Sequence, residues 1–261
     1  MFKPLICYSP GMFACLTLAF AAAGALSAQT TTRVMVRVTS NDAKIIGSGV
    51  GGANVTIRDA VTGKVLASGT QKEGTGDTGL IMGARERGSS VYDTEGAAGF
   101  LAEMALDEPT WIEIEATGPL GTPQALRRAS QTMLLVPGQD VLGDGVVLEM
   151  LGFTVELTGP AADVVLPVDK TVEVGARVTM LCGCPTSPGG IWDSDRYTIV
   201  ARELRAGEVM QEVAMHYAGT TSTYTASLAP MATGSVVIEV LAMDAERANF
   251  GFARARYVVG H

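Results

Sequence analysis

Apolar and polar positions alternate with a period of two along most of the chain. In Arg33–Val38 the residues Val34, Val36 and Val38 share one face, as a half-buried strand requires. Ala53–Arg58 alternates in the same way. Asp59–Gly63 then reads as a tight turn with Gly63 supplying positive φ, and Lys64–Gly69 returns as the hairpin partner. Residues 70–98 are glycine-rich and carry Arg85-Glu-Arg87. They read as a long exposed loop with one short strand near Leu80–Met82. Gly99–Met104, Trp111–Ala116, Gln131–Leu135 and Val146–Met150 complete a first block of strands, and Leu126–Ser130 reads as the start of a short helix. No segment sustains a 3.6-residue period.

A second block begins near Leu151. Phe153, Val155 and Leu157 alternate with polar residues, followed by the series Val172 to Cys182, Tyr197 to Ala201, and Val209 to Tyr217. Tyr224–Leu228, Ser235–Met243 and Phe252–Val259 end it. Short strands at regular spacing, broken by Gly and Pro, are the pattern of a β-sandwich. The expected fold is all-β: two tandem antiparallel β-sandwich domains, residues 29–150 and 151–261, hinged near Met150–Gly152, behind a cleaved signal peptide of residues 1–28. That leader has Lys3 as its one charge, an apolar run from Phe13 to Leu26, and small residues at Ala25, Ser27 and Ala28. Its apolar run is shorter than the ~20 residues a membrane-spanning helix needs. Cys7 and Cys15 precede or lie within it, which argues against a lipid-anchored cysteine.

The chain has 19 basic and 27 acidic side chains and a net charge of −8. Removing the leader takes away Lys3 and no acid, so 18 basic against 27 acidic side chains leave −9. Such a surface repels phosphate backbones, so nucleic acid is not an expected partner. No later segment is apolar for long enough to span a membrane as a helix. Export implies a periplasmic or secreted location.

The stretch Gly52-Ala-Asn-Val-Thr-Ile-Arg-Asp-Ala-Val-Thr-Gly-Lys-Val-Leu-Ala-Ser-Gly69 resembles the first hairpin of the carboxypeptidase regulatory-like and transthyretin-like sandwich domains. Gly99-Phe100 and Trp111–Pro119 fit that family's later strands, and the likeness covers roughly residues 32–150. The insertion around 73–98 departs from the pattern. The second block resembles bacterial immunoglobulin-like domains through Tyr224-Thr-Ala-Ser-Leu, Gly234-Ser-Val-Val-Ile-Glu-Val-Leu-Ala and Asn249-Phe-Gly251. The first resemblance implies a mostly non-catalytic module of envelope and secreted proteins. Neither implies an activity, because fold does not fix function.

Gly47-Ser-Gly-Val-Gly-Gly52 matches G-x-G-x-x-G, but a strand pattern follows it where a dinucleotide site needs a helix, so it reads as an inter-strand loop. Hydrolase signatures are missing: there is no G-x-S-x-G and no H-E-x-x-H, and the histidines are His216 and His261. Asp140-Val-Leu-Gly-Asp-Gly145 has too few acids for a calcium loop and reads as a turn. The unusual segment is Met180–Asp195, which gathers Cys182, Cys184, Pro185, Pro188, three glycines and Trp192.

Three readings of Cys182 and Cys184 stay open. One is a local disulfide, for which Gly183 must bend the chain, since extended residues two apart sit at the limit of disulfide reach. A second is a soft-metal site for copper(I) or zinc, with Met180 and His216 as further ligands. The third is a pair of thiols, free or paired with another molecule, in a structural loop.

Loops on rigid scaffolds concentrate function. The expected contact residues are therefore Trp192, Asp193 and Asp195 in one loop and Arg85 and Arg87 in the other, although a tryptophan such as Trp192 is more often a core plug or loop anchor than a ligand platform. The expected role is that of a non-catalytic binding or accessory protein contacting an envelope protein or a surface polymer. A periplasmic copper-handling protein is the alternative, and a secreted enzyme accessory domain or hydrolase comes third. The oligomeric state is not legible in the chain.

Overall fold

The computed structural model describes residues 30–261. The expected leader, residues 1–28, lies outside the described residues. Seven strands build the first unit: β1 (Thr30–Ser40), β2 (Ala53–Asp59), β3 (Val65–Gln71), β4 (Phe100–Leu106), β5 (Thr110–Gly118), β6 (Arg127–Leu135) and β7 (Val141–Met150). They form two sheets, ordered β4-β1-β7 and β3-β2-β5-β6. Pairing is antiparallel except between β1 and β7, which run parallel. The alternation read from sequence packs Val34, Val36 and Val38 of β1 against Val55, Ile57, Ile112 and Ile114, all buried. Each such side chain contributes roughly 1.5–3 kcal/mol of transfer free energy.

Nine strands build the second unit: β8 (Phe153–Gly159), β9 (Val165–Pro167), β10 (Val172–Met180), β11 (Thr198–Arg205), β12 (Glu208–Ala214), β13 (His216–Tyr217), β14 (Thr223–Leu228), β15 (Gly234–Asp244) and β16 (Asn249–Gly260). Their sheets are ordered β13-β14-β10-β8 and β12-β11-β15-β16-β9. The protein is thus all-β, two β-sandwiches in tandem. Val174, Ala176 and Val178 of β10 face Ile238, Val240 and Ala242 of β15 across the second core.

Three local expectations are corrected. Leu80–Met82 is not a strand but part of a short helix, α1 (Thr78–Met82), because the Asp77 carboxylate caps it by accepting from the Leu80 amide at 2.9 Å. Leu126–Ser130 does not begin a helix. It lies in or next to β6, which pairs with β5 along its whole length. Val209–Tyr217 is not one strand either. It breaks at buried Met215, so that β12 joins the sheet of β11 while β13 crosses to the sheet of β14.

The insertion at 73–98 is also more than an exposed loop. Ile81, Ile45 and Ala98 form a small core of their own, with Met82, Tyr92 and Ala97 against it. Two charged side chains tie it down. Arg37 of β1 is buried and donates to the Ala97, Ala98 and Gly143 carbonyls and to Asp93, its ion pair at 2.8 Å. Asp144 accepts from the Ser90 hydroxyl and from the amides of Val91, Tyr92 and Asp93 at 2.6–2.9 Å. The sequence Asp140–Gly145, expected as a turn, instead leads into β7, whose register against β1 shifts there, and its other acid, Asp140, pairs with Arg33 at 2.6 Å. Both acids of the calcium-like sequence are therefore committed to internal bonds.

Burial pushes the Asp144 carboxyl up, but the four hydrogen bonds outweigh it and hold the group below the ordinary carboxylate value. A depressed folded pKa gives stability that is present above the unfolded value, about 4, and lost as pH falls through the lower folded value. Amide-exchange protection at residues 91–93 is expected to persist at neutral pH and to fall on acidification below about pH 4. Asp144→Ala should abolish that protection at every pH and cost roughly 2 kcal/mol. Unchanged exchange in the variant would contradict this anchoring.

Candidate functional site

The Met180–Asp195 segment is the end of β10 and the turn after it, and it is folded inward. Cys182 and Cys184 are at disulfide distance, with Cα atoms 5.4 Å apart, and both are buried. Gly183 between them adopts φ +77°, the left-handed bend that a side chain would resist. The Gly183 amide donates to the Met180 carbonyl at 2.8 Å and the Met180 amide to the Cys184 carbonyl at 3.1 Å, closing the tip. Behind it, the buried Thr186 hydroxyl donates to the Val178 carbonyl and shares a 2.8 Å bond with the Tyr224 hydroxyl. The Asp193 carboxylate accepts from the Gly189 and Asp195 amides and shapes the outer turn.

This tip docks on the first sandwich. Leu181 is wholly buried, and its cluster is the first unit's core, not the second's. A Cβ on Gly183 would stand 2.8 Å from the Val50 side chain. Val50 belongs to Gly47–Gly52, so the glycine-rich motif and the Cys-Gly-Cys motif meet here. In the other direction, Ala43 of the first unit joins the core of the second.

Polar bonds close the same seam. The Trp192 indole donates to the Asp42 carbonyl at 3.1 Å, and the Asp42 carboxylate pairs with Arg247 at 2.7 Å. Asn249, fully buried, accepts from the Gly152 amide at 2.7 Å, while the Asn41 amide donates to the Met150 carbonyl at 2.9 Å. The expected hinge at Met150–Gly152 is therefore bridged on both sides.

Trp192 is a core plug at the seam rather than a contact residue, because its ring packs in the second core and its indole N–H donates to the Asp42 carbonyl. Asp193 is half-buried and Asp195 exposed. Arg85 and Arg87 are exposed. Arg85 is held by the Ile81 carbonyl and lies over the Tyr92 ring at 5.3 Å.

The four candidate metal ligands are dispersed in role. The cysteine sulfurs face each other, and the Met180 thioether lies in the core 3.9 Å from the Tyr197 hydroxyl. His216 is exposed on β13. Among the described residues no group of three or more His, Cys, Asp and Glu side chains is gathered closely enough to hold a metal ion. Burial, with the Asp244 and Asp42 carboxylates nearby, pushes the Tyr197 phenol up to about 12, so it stays protonated at neutral pH.

A surface absent from the sequence reading lies on the outer face of the sheet β12-β11-β15-β16-β9. Register places Thr198, Met243 and Phe250 in one row, and Val200, Leu241 and Phe252 in the next. Phe250 and Phe252 are about half exposed, at 49% and 51%, as is Leu151 of the seam at 49%. Together with Met243 and the side chain of Arg127 they line a hollow of about 390 Å³.

Arg127 donates to the Leu126 and Phe250 carbonyls and has no carboxylate partner among the described residues, and burial pushes its guanidinium below the usual arginine value. The following row is charged. Glu212, Arg202, Glu239 and Arg254 alternate in sign across four strands, with Arg202–Glu212 at 2.6 Å, Arg202–Glu239 at 3.6 Å and Arg254 bonded to Glu239. The signal for this face was the period-two series Phe250, Phe252, Arg254, Arg256, Val258, which a strand exposes on one side.

No family model and no curated protein matches the chain. Among solved structures, an engineered protein is 15% identical at a TM-score of 0.32, over 46% of this chain; the chain spans only 22% of that protein. The fibronectin(III)-like modules of Clostridium thermocellum CbhA are 15% identical at a TM-score of 0.27, covering 88% of this chain and 92% of theirs. The titin Z1Z2 domains, solved in complex with telethonin, are 15% identical at 0.26, covering 89% and 98%. At these scores the architecture rests on this chain's own strand pairing.

Leu181→Ala is expected to leave a void in the first core and to destabilise the protein by about 2–5 kcal/mol. Calorimetry should register this as earlier melting of the first unit, although residue 181 belongs to the second. A loss confined to the second unit would contradict the exchange of core residues.

Proposed function

We propose that the chain is an exported, non-catalytic binding protein of the cell envelope, and that its contact surface is the Phe250–Phe252 face at the seam of the two sandwiches. The observation that carries this reading is the exposure of two phenylalanines and a leucine in one patch bordered by charged side chains. Monomeric proteins rarely leave such clusters open without a use. The apolar side chains of the patch belong to the second unit, and docking brings Arg127 of the first to their edge. Leader-like residues 1–28 and the net negative charge favour an exported setting. The resemblance of residues 52–69 to carboxypeptidase regulatory-like hairpins favours an accessory role over a catalytic one. The partner is taken to be an envelope protein, since aromatic side chains on a firm sheet are typical anchors of protein interfaces.

Photo-crosslinking in the native host separates this surface from the loops. A benzophenone amino acid at position 252 is expected to give a discrete protein adduct, and the same group at position 87 none. Adducts from position 87 alone would move the contact surface to the insertion. Replacing Phe250 and Phe252 by serine should weaken partner capture by at least about tenfold, the size of an aromatic hot spot, while leaving the melting temperature nearly unchanged.

A further inference from the structure

The same sheet face specifies the chemistry of what it binds; this step rests on the reading above. Along β16 the outward side chains run Phe250, Phe252, Arg254, Arg256, Val258. At about 3.3 Å per residue, the stretch from Phe250 to Arg256 covers roughly 20 Å. The apolar hollow lies at the seam end. A second hollow of about 680 Å³ lies at the far end, floored by Leu204 and Val237 and walled by Arg254 and Arg256. Between them runs the neutral charge row.

The spare charge on this face is positive. Arg202 and Arg254 are balanced by Glu212 and Glu239. The Arg256 side chain is exposed and, among the described residues, its guanidinium has neither a hydrogen bond nor an ion pair, while Arg127 bonds only carbonyls. At the seam end Glu246 is already held by Arg196 at 3.2 Å. Two guanidinium groups without a carboxylate among the described residues, Arg127 beside Phe250 and Arg256 further along the strand, stand out on a chain of net charge −8.

We infer that this face takes an extended acidic polypeptide segment from a partner protein, with apolar side chains over Phe250 and Phe252 and a carboxylate on Arg256. An arginine fork donates two parallel bonds to a carboxylate, and a free Arg256 supplies one at no cost in broken pairs. A peptide fits better than an anionic membrane. The apolar residues line a hollow rather than a protrusion, and the rest of the chain is acidic and would be repelled by such a bilayer.

The probe is a labelled peptide, Leu-Thr-Leu-Thr-Thr-Thr-Glu, whose same-face side chains match that order, titrated against the full-length mature protein by fluorescence anisotropy. Saturable binding is expected, weakened by about fivefold in Arg256→Glu, the scale of an exposed ion pair, and by raised salt. Phe252→Ser should abolish it. The counterpart with lysine for glutamate should not bind. Both substitutions are at exposed positions, and unchanged melting temperatures verify the fold.

Equal binding of the lysine peptide, no effect of Arg256→Glu, or no binding of either peptide would each overturn the inference. So would co-sedimentation of the protein with phosphatidylglycerol vesicles through Phe252. If the peptide fails while the position-252 crosslink survives, the acidic segment is wrong and the binding surface stands. If both fail, the binding surface itself falls.

Discussion

Leu181 is the residue on which the two-body arrangement depends. It extends from the end of a strand in the second sandwich and is buried in the core of the first. Ala43 makes the reverse journey. Domains joined by a short linker move freely unless an apolar interface holds them. Here each unit lacks part of its core until the other is docked. Burying a leucine contributes about 1.5–3 kcal/mol, a large share of a marginal stability.

The surrounding chemistry serves that insertion. The Cys182–Cys184 pair and the left-handed Gly183 close a tip narrow enough to carry Leu181 inward. Asn249 satisfies the Gly152 amide at the point where the chain passes from one unit to the next. Water cannot reach such a group once the seam closes, so an internal partner is obligatory. Trp192, Asp42 and Arg247 extend the polar closure to the rim. Fixing the seam also fixes the surface above it. Leu151 and Arg127 are brought beside Phe250, and at this same point Gly251 lies so close to β8 that a Cβ there would stand 2.5 Å from the Phe153 carbonyl. A loose joint would scatter these side chains, whereas a docked one presents them together.

The insertion shows a similar economy. A segment rich in glycine and charge lacks the apolar period that marks a regular element, yet Arg37 and Asp144 convert it into a fixed body by bonding its backbone. Neither residue is near it in sequence. Charge-assisted bonds to several backbone groups at once do what a larger core does elsewhere.

Period-two alternation was enough to determine that the chain is all-β, to locate most strands and to put Val34, Val36 and Val38 on one face, because side-chain direction in a strand depends on local geometry alone. The Asp59–Gly63 turn was legible for the same reason. The Cys-Gly-Cys and glycine-rich motifs were visible as unusual, but their meeting was not, since they are more than 130 residues apart and neither names its neighbour. Trp192 reads the same whether it faces solvent or a second domain. Only the tertiary structure decided that this loop turns inward and that the exposed aromatic surface lies on β16. Burial at a seam is a property of two surfaces brought together, and one strand's pattern carries information about only one of them.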